Sequence, residues 1–97
     1  MKCIYLSGPM TALNFYSSFK IEAERLRGLG YEVVNPAEDP VYAGYHESMR
    51  KDLKALLDCD TLALLDGWQC SAGAHLEMHV AHRVGMEIVI AKEVVAC

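Results

Sequence analysis

A single glutamate stands four residues after a glycine and three after an alanine in Ser71-Ala72-Gly73-Ala74-His75-Leu76-Glu77. Ser71 is a good helix N-cap, and a helical pattern begins directly after it. Helical side chains lean toward the N-terminus, so Glu77 is expected to lie over the small pair Gly73 and Ala74. That would set a carboxylate above bare backbone, beside free N–H groups and the positive end of a helix. A sugar phosphate fits such a place, with phosphate on the N–H groups and a sugar carbon against the carboxylate. The chemistry suggested is attack by a carboxylate on a sugar carbon.

Other residues carry weaker signals. Ser7-Gly8-Pro9-Met10 is neither Gly-x-Gly-x-x-Gly nor a Walker loop. It reads as a turn, or as backbone that lets a sugar or base come close. Asp52, beside Arg50 and Lys51, reads as a solvated charge until something else places it. Trp68 is either a lid that could stack on a nucleobase or a packing residue. His75, His79 and His82 are spaced four and three apart, and His-x-x-x-His can bind zinc. No acid or cysteine on that face completes a site, so surface histidines and no metal are expected. Cys3, Cys59, Cys70 and Cys97 form no Cys-x-x-Cys pair. Cys3 and Cys59 read as small apolar residues, and no disulfide framework is expected.

The elements that must position these residues alternate. Lys2–Leu6 reads as a strand ending in the Ser7–Met10 turn. Asn14 caps a helix from about Phe15 to Leu29, with Phe19, Ala23, Leu26 and Leu29 inward and Gly30 at its C′ position. Tyr31–Val34 is a second strand, broken by Asn35-Pro36. A second helix covers about Tyr45 to Leu57, with Met49, Leu53, Leu56 and Leu57 inward. Thr61–Leu65 is apolar throughout, as a strand buried on both faces should be. A third helix runs from Ser71 to about Val84 and is closed by Gly85, followed by a fourth strand, Met86–Ala91. The tail from Lys92 is a short extra strand or a partner-contacting arm.

This alternation predicts an α/β fold: a small Rossmann- or flavodoxin-like three-layer sandwich with four or five parallel strands in the order 2-1-3-4. Ligands bind such sheets beyond the carboxyl ends of the strands, where the order reverses. That point lies between the first and third strands and gathers Ser7–Met10 with Asp66–Ser71.

Ninety-seven residues that are 53% hydrophobic make one domain, 1–97, with a real core. The net charge of −4, with no basic patch, argues against a nucleic-acid polymer as partner. No apolar run is long enough to span a bilayer. Met1–Leu6 looks like a first strand and not a signal peptide, so the expected location is the cytoplasm. A small apolar domain gains from self-association, and a homodimer or higher homo-oligomer is expected.

Five segments occur in an order that resembles the nucleoside 2-deoxyribosyltransferase-like superfamily, more narrowly its short phage and bacterial branch. They are Ile4–Met10, Gly30–Pro36, Arg50–Leu53, Leu57–Asp60 and Ser71–Glu77. The resemblance implies a catalytic trio. Glu77 matches the nucleophile that displaces the base and forms a glycosyl-enzyme. Tyr5 matches the tyrosine that holds it, and Asp52 the acid that assists the leaving base. Six residues before the nucleophile, relatives acting on free nucleosides carry an aspartate, and nucleotide-hydrolysing relatives a serine. Ser71 stands there, and a hydroxyl accommodates a phosphate that a carboxylate would repel.

The expected activity is therefore cleavage of the N-glycosidic bond of a nucleoside 5′-monophosphate, with no cofactor. Ser71, Ala72 and Gly73 would hold the phosphate; Ser7, Gly8, Pro9, Met10 and Trp68 would line the sugar and base crevice. The alternatives are a 2-deoxyribosyltransferase on free nucleosides, and a non-catalytic module that binds a nucleotide or an ADP-ribose-like ligand.

Overall fold

The computed structural model describes residues 2–9, 15–38 and 44–96, and the side chains of Phe15 and Tyr16 are not described. The expected cap Asn14, Met10 and Cys97 lie outside the described residues. In chain order come β1 (Cys3–Ser7), α1 (Phe15–Gly28), β2 (Glu32–Val34), α2 (Tyr45–Leu57), β3 (Thr61–Leu64), α3 (Ala72–Arg83) and β4 (Glu87–Ile90). Short 3-10 turns cover Pro36–Glu38, Trp68–Cys70 and Ala91–Glu93.

The strands form one parallel sheet in the order β2-β1-β3-β4. The expected order is therefore found, with four strands among the described residues. Two of the three αβ links turn sharply on a left-handed glycine. Gly30 (φ 101°) and Gly85 (φ 78°) follow α1 and α3. Tyr31 N–H then reaches back to Leu26 O (3.2 Å) and Met86 N–H to Ala81 O (2.9 Å), the closing bond of a Schellman cap.

Alternation along β1 and β3 divides the core in two. Ile4, Leu6, Ala63 and Leu65 pack against Phe19, Ala23 and Leu26 of α1. Tyr5, Leu62 and Leu64 face the other way, against Leu56 of α2 and Ala81 of α3. The second layer carries the candidate chemistry.

Three expectations are corrected. Leu57 is not inward: it is 54% exposed at the last turn of α2, where the helix face has rotated off the sheet. The tail forms no strand among its described residues. Arg25 holds it against α1 by donating to the Val94 and Ala91 carbonyls, and the Tyr31 hydroxyl donates to Val95 O (2.7 Å). Element ends also shift: β1 runs on to Ser7, and β4 stops at Ile90.

Candidate active site

β1 lies between β2 and β3, with Tyr5 beside Leu62 and Ser7 beside Leu64. Tyr5 and Ser7 are two residues apart, so both side chains stand on the face toward α2 and α3. Both are essentially inaccessible, and both reach one group on α3. The Tyr5 hydroxyl donates to Glu77 Oε2 at 2.6 Å, and the Ser7 hydroxyl donates to Glu77 Oε1 at 2.7 Å. Glu77 is itself only 6% exposed. A buried carboxylate that accepts a bond on each oxygen is fixed in orientation.

Burial pushes the Glu77 carboxyl up to about 7. The two hydrogen bonds pull it down, and the charge of Asp52 adds to the rise. Burial, and then the charge of Glu77, raise the Tyr5 phenol far above its ordinary value, so it remains a donor at any physiological pH. Asp52 is half-buried, and burial raises its carboxyl above the usual aspartate range while Lys51 pulls the other way.

Glu77 and Asp52 border a cleft of about 380 Å³ between α2 and α3. Glu77 and Asp52 stand on its two walls, and Gly8 closes the end of β1. Ser71 caps α3 as expected: its backbone is extended and its Oγ accepts from Ala74 N–H at 3.1 Å. The N–H groups of Ala72 and Gly73 have no acceptor among the described residues and lie in the cleft lining. The cleft therefore combines two carboxylates in a desolvated recess with a helix N-terminus open to an anion.

The structure brings together Glu77, Asp52, Tyr5, Ser7, Gly8, Ser71, Ala72 and Gly73. It separates two expected lining residues from the cleft. Trp68 is half-buried and packs against the second core layer, its ring 5.3 Å from that of His75, and it lines a separate hollow with Ile90 and Lys92. Pro9 packs near Gly67, where a Cβ would meet its ring at 3.3 Å. Met10 lies outside the described residues. Among the described residues no group of histidine, cysteine and acidic side chains is arranged to hold a metal; His75, His79 and His82 are exposed.

A family profile described as a domain of unknown function (DUF4406) matches residues 2–90. This chain belongs to that family. No curated protein gives a match. Among solved structures, the DUF4406 domain is similar to a 2-deoxyribosyltransferase from the psychrotolerant bacterium Bacillus psychrosaccharolyticus. The two share 22% identity at a TM-score of 0.72, over 90% of this chain and 70% of that one. At that identity the likeness is one of fold, the fold that the five sequence segments imply.

The DUF4406 domain also holds lining residues that sequence reasoning missed. Tyr45, Ser48 and Met49 line the same cleft wall as Asp52. Their spacing of three, four and seven is one helical face. The face mixes an aromatic ring, a hydroxyl, a thioether and an acid, so a search for apolar periodicity passes over it. Cys70, exposed beside the N-cap of α3, completes the rim.

Proposed function

We propose that this domain cleaves the N-glycosidic bond of a nucleoside 5′-monophosphate. One observation carries the reading: a buried carboxylate, Glu77, is held on both oxygens at a cleft that also contains Asp52 and a free helix N-terminus. In the reaction a Glu77 oxygen attacks the anomeric carbon and forms an ester bond to it. The carbon–nitrogen bond breaks, its electron pair stays on the base, and the base takes the proton of Asp52. Water then attacks the same carbon and gives its proton to Asp52. The ester bond breaks, and its electrons return to Glu77. Ser71 and the N–H groups of Ala72 and Gly73 bind the phosphate. Similarity of fold to a 2-deoxyribosyltransferase supports a nucleoside-type substrate.

A second reading has its own observation. The described residues lining the cleft include two acids and no lysine or arginine. A free nucleoside, with base transfer in place of hydrolysis, suits such a cleft on charge alone.

The test is base release by chromatography from a panel of ribo- and deoxyribonucleosides and their 5′-monophosphates, with and without a second free base. Release from monophosphates, abolished in Glu77→Ala, is expected. Exchange only with a second base favours the transferase. No release from any substrate overturns both and leaves the binding module.

A further inference from the structure

The two hydrogen bonds to Glu77 come from residues at different places on β1. β1 runs toward the cleft, and Gly8, which lines it, directly follows Ser7. The Tyr5 backbone lies two residues back, about 7 Å along the strand, and its longer side chain reaches the same carboxylate. Oε1 is thus the oxygen held by the residue next to the cleft lining, and Oε2 the one held by the residue farther back on β1.

On the functional reading above, we infer that Oε1 is the attacking oxygen and that Ser7 is a positioning residue controlling how readily Glu77 leaves the glycosyl-enzyme. In the ester, Oε2 becomes the carbonyl oxygen and remains a good acceptor, so the Tyr5 bond persists through the cycle. Oε1 becomes the bridging oxygen, a poor acceptor, so the Ser7 bond is strong only to the free carboxylate. Ser7 therefore stabilises the two ends of the cycle against the intermediate between them. Its removal favours formation of the glycosyl-enzyme and slows its breakdown, because Oε1 must then take back negative charge without a donor.

Ser7 is also one of few groups that keep Glu77 ionised. The titratable groups that act on this carboxyl are Tyr5 from β1 and Asp52 from α2. Tyr45 and Cys70 border the same cleft. Of these only Tyr5 donates to Glu77, so losing the Ser7 hydroxyl removes one of two bonds that favour the anion.

The test compares wild type with Ser7→Ala and with Ser7→Cys, which keeps nearly the same volume and a weak donor. Circular dichroism first checks the fold of each. The Glu77 midpoint is read in the free protein by carbon-13 carboxyl titration. Steady-state kinetics on the most active substrate of the panel, and intact-mass spectra during turnover, give the rest. In Ser7→Ala the midpoint is expected to rise by about one pH unit, and the acid limb of the rate profile to move with it. At pH 9 kcat is expected to fall at least about tenfold and KM with it, leaving kcat/KM within about threefold of wild type. A protein-plus-sugar mass should accumulate, and Ser7→Cys should fall between the two. An unmoved midpoint, or equal losses in kcat and kcat/KM with no sugar adduct, would overturn the assignment. If wild type releases no base, the glycosidase reading falls, and the carboxyl titration alone decides whether Ser7 governs Glu77.

Discussion

Met49 and Gly73 meet across the cleft at the limit of contact: a Cβ at Gly73 would stand 3.3 Å from the Met49 sulfur and 3.9 Å from Ser71 Oγ. The glycine keeps α2 and α3 close at the point where the backbone N–H groups face the cleft. Met49 is a flexible thioether and can give way by a few tenths of an ångström. Alanine is also the better helix former, by up to about 1 kcal/mol. Gly73→Ala is therefore expected to leave the urea midpoint unchanged or raise it slightly. Its methyl group narrows the cleft beside the proposed phosphate site, and kcat/KM is expected to fall about tenfold, the order that a small misplacement of substrate costs. Unfolding and base-release assays on one preparation check both halves.

The buried carboxyl of Glu77 makes stability depend on pH in the less common direction. Its folded value, about 7, lies above the ordinary glutamate value of 4.5, so between these the folded chain holds a proton that the unfolded chain has lost. Stability from this group is full below about pH 4.5, declines as pH rises through about 7, and then levels off. That displacement corresponds to about 3 kcal/mol. Asp52, also raised, contributes with the same sign. Urea midpoints measured from pH 5 to pH 8 should fall in wild type. In Glu77→Gln the dependence should be much flatter, and the neutral variant more stable than wild type at pH 8. A rising midpoint over that range would show that Glu77 is not the titrating group.

Gly8 answers a tighter constraint than Gly73. A Cβ there would lie 2.9 Å from the Cβ of Leu65, and Leu65 N–H bonds Ser7 O at 2.8 Å, so the two strand ends are locked together. Neither atom sits at the end of a flexible side chain. Gly8→Ala is expected to cost about 1–3 kcal/mol, the usual range for overpacking. It should also weaken catalysis through the adjacent Ser7. Equilibrium unfolding in urea measures the first effect.

Thr61 has the opposite problem. It is buried at the start of β3, and its hydroxyl oxygen finds no hydrogen-bond partner among the described residues. Valine has the same shape, suits a strand, and has no polar atom to leave unsatisfied. Thr61→Val is expected to raise stability by about 1 kcal/mol, seen as a higher melting temperature at equal activity.

Much of this architecture is legible in the sequence because its signals are local. Gly30 and Gly85 end their helices as their positions suggest, and the apolar run Thr61–Leu64 is buried on both faces. Glu77 over Gly73 and Ala74 is legible too, since all three lie within one and a half turns of one helix. Ser7 is not: its bond to Glu77 joins residues 70 apart, and no spacing rule connects them. Sequence reading placed Ser7 in the crevice wall, whereas its hydroxyl is turned to the carboxylate. Tyr5 was found only through family resemblance. The sequence leaves Trp68 as a lid or a packing residue, because a loop position does not say which way a ring turns; the ring packs on the second core layer beside His75.

Tyr5 and Ser7 face Glu77 only because β1 pairs with β3 in one register, Tyr5 to Leu62 and Ser7 to Leu64. A slip of one residue would present Ile4 and Leu6 to the carboxylate and turn both hydroxyls toward α1. That ladder joins segments more than fifty residues apart, which are among the slowest contacts for a chain to make. Assembly of the sheet thus acts as a proofreading step for the chemistry: a chain folded in the wrong register would bury Glu77 without a donor, and the carboxyl would stay protonated and inert.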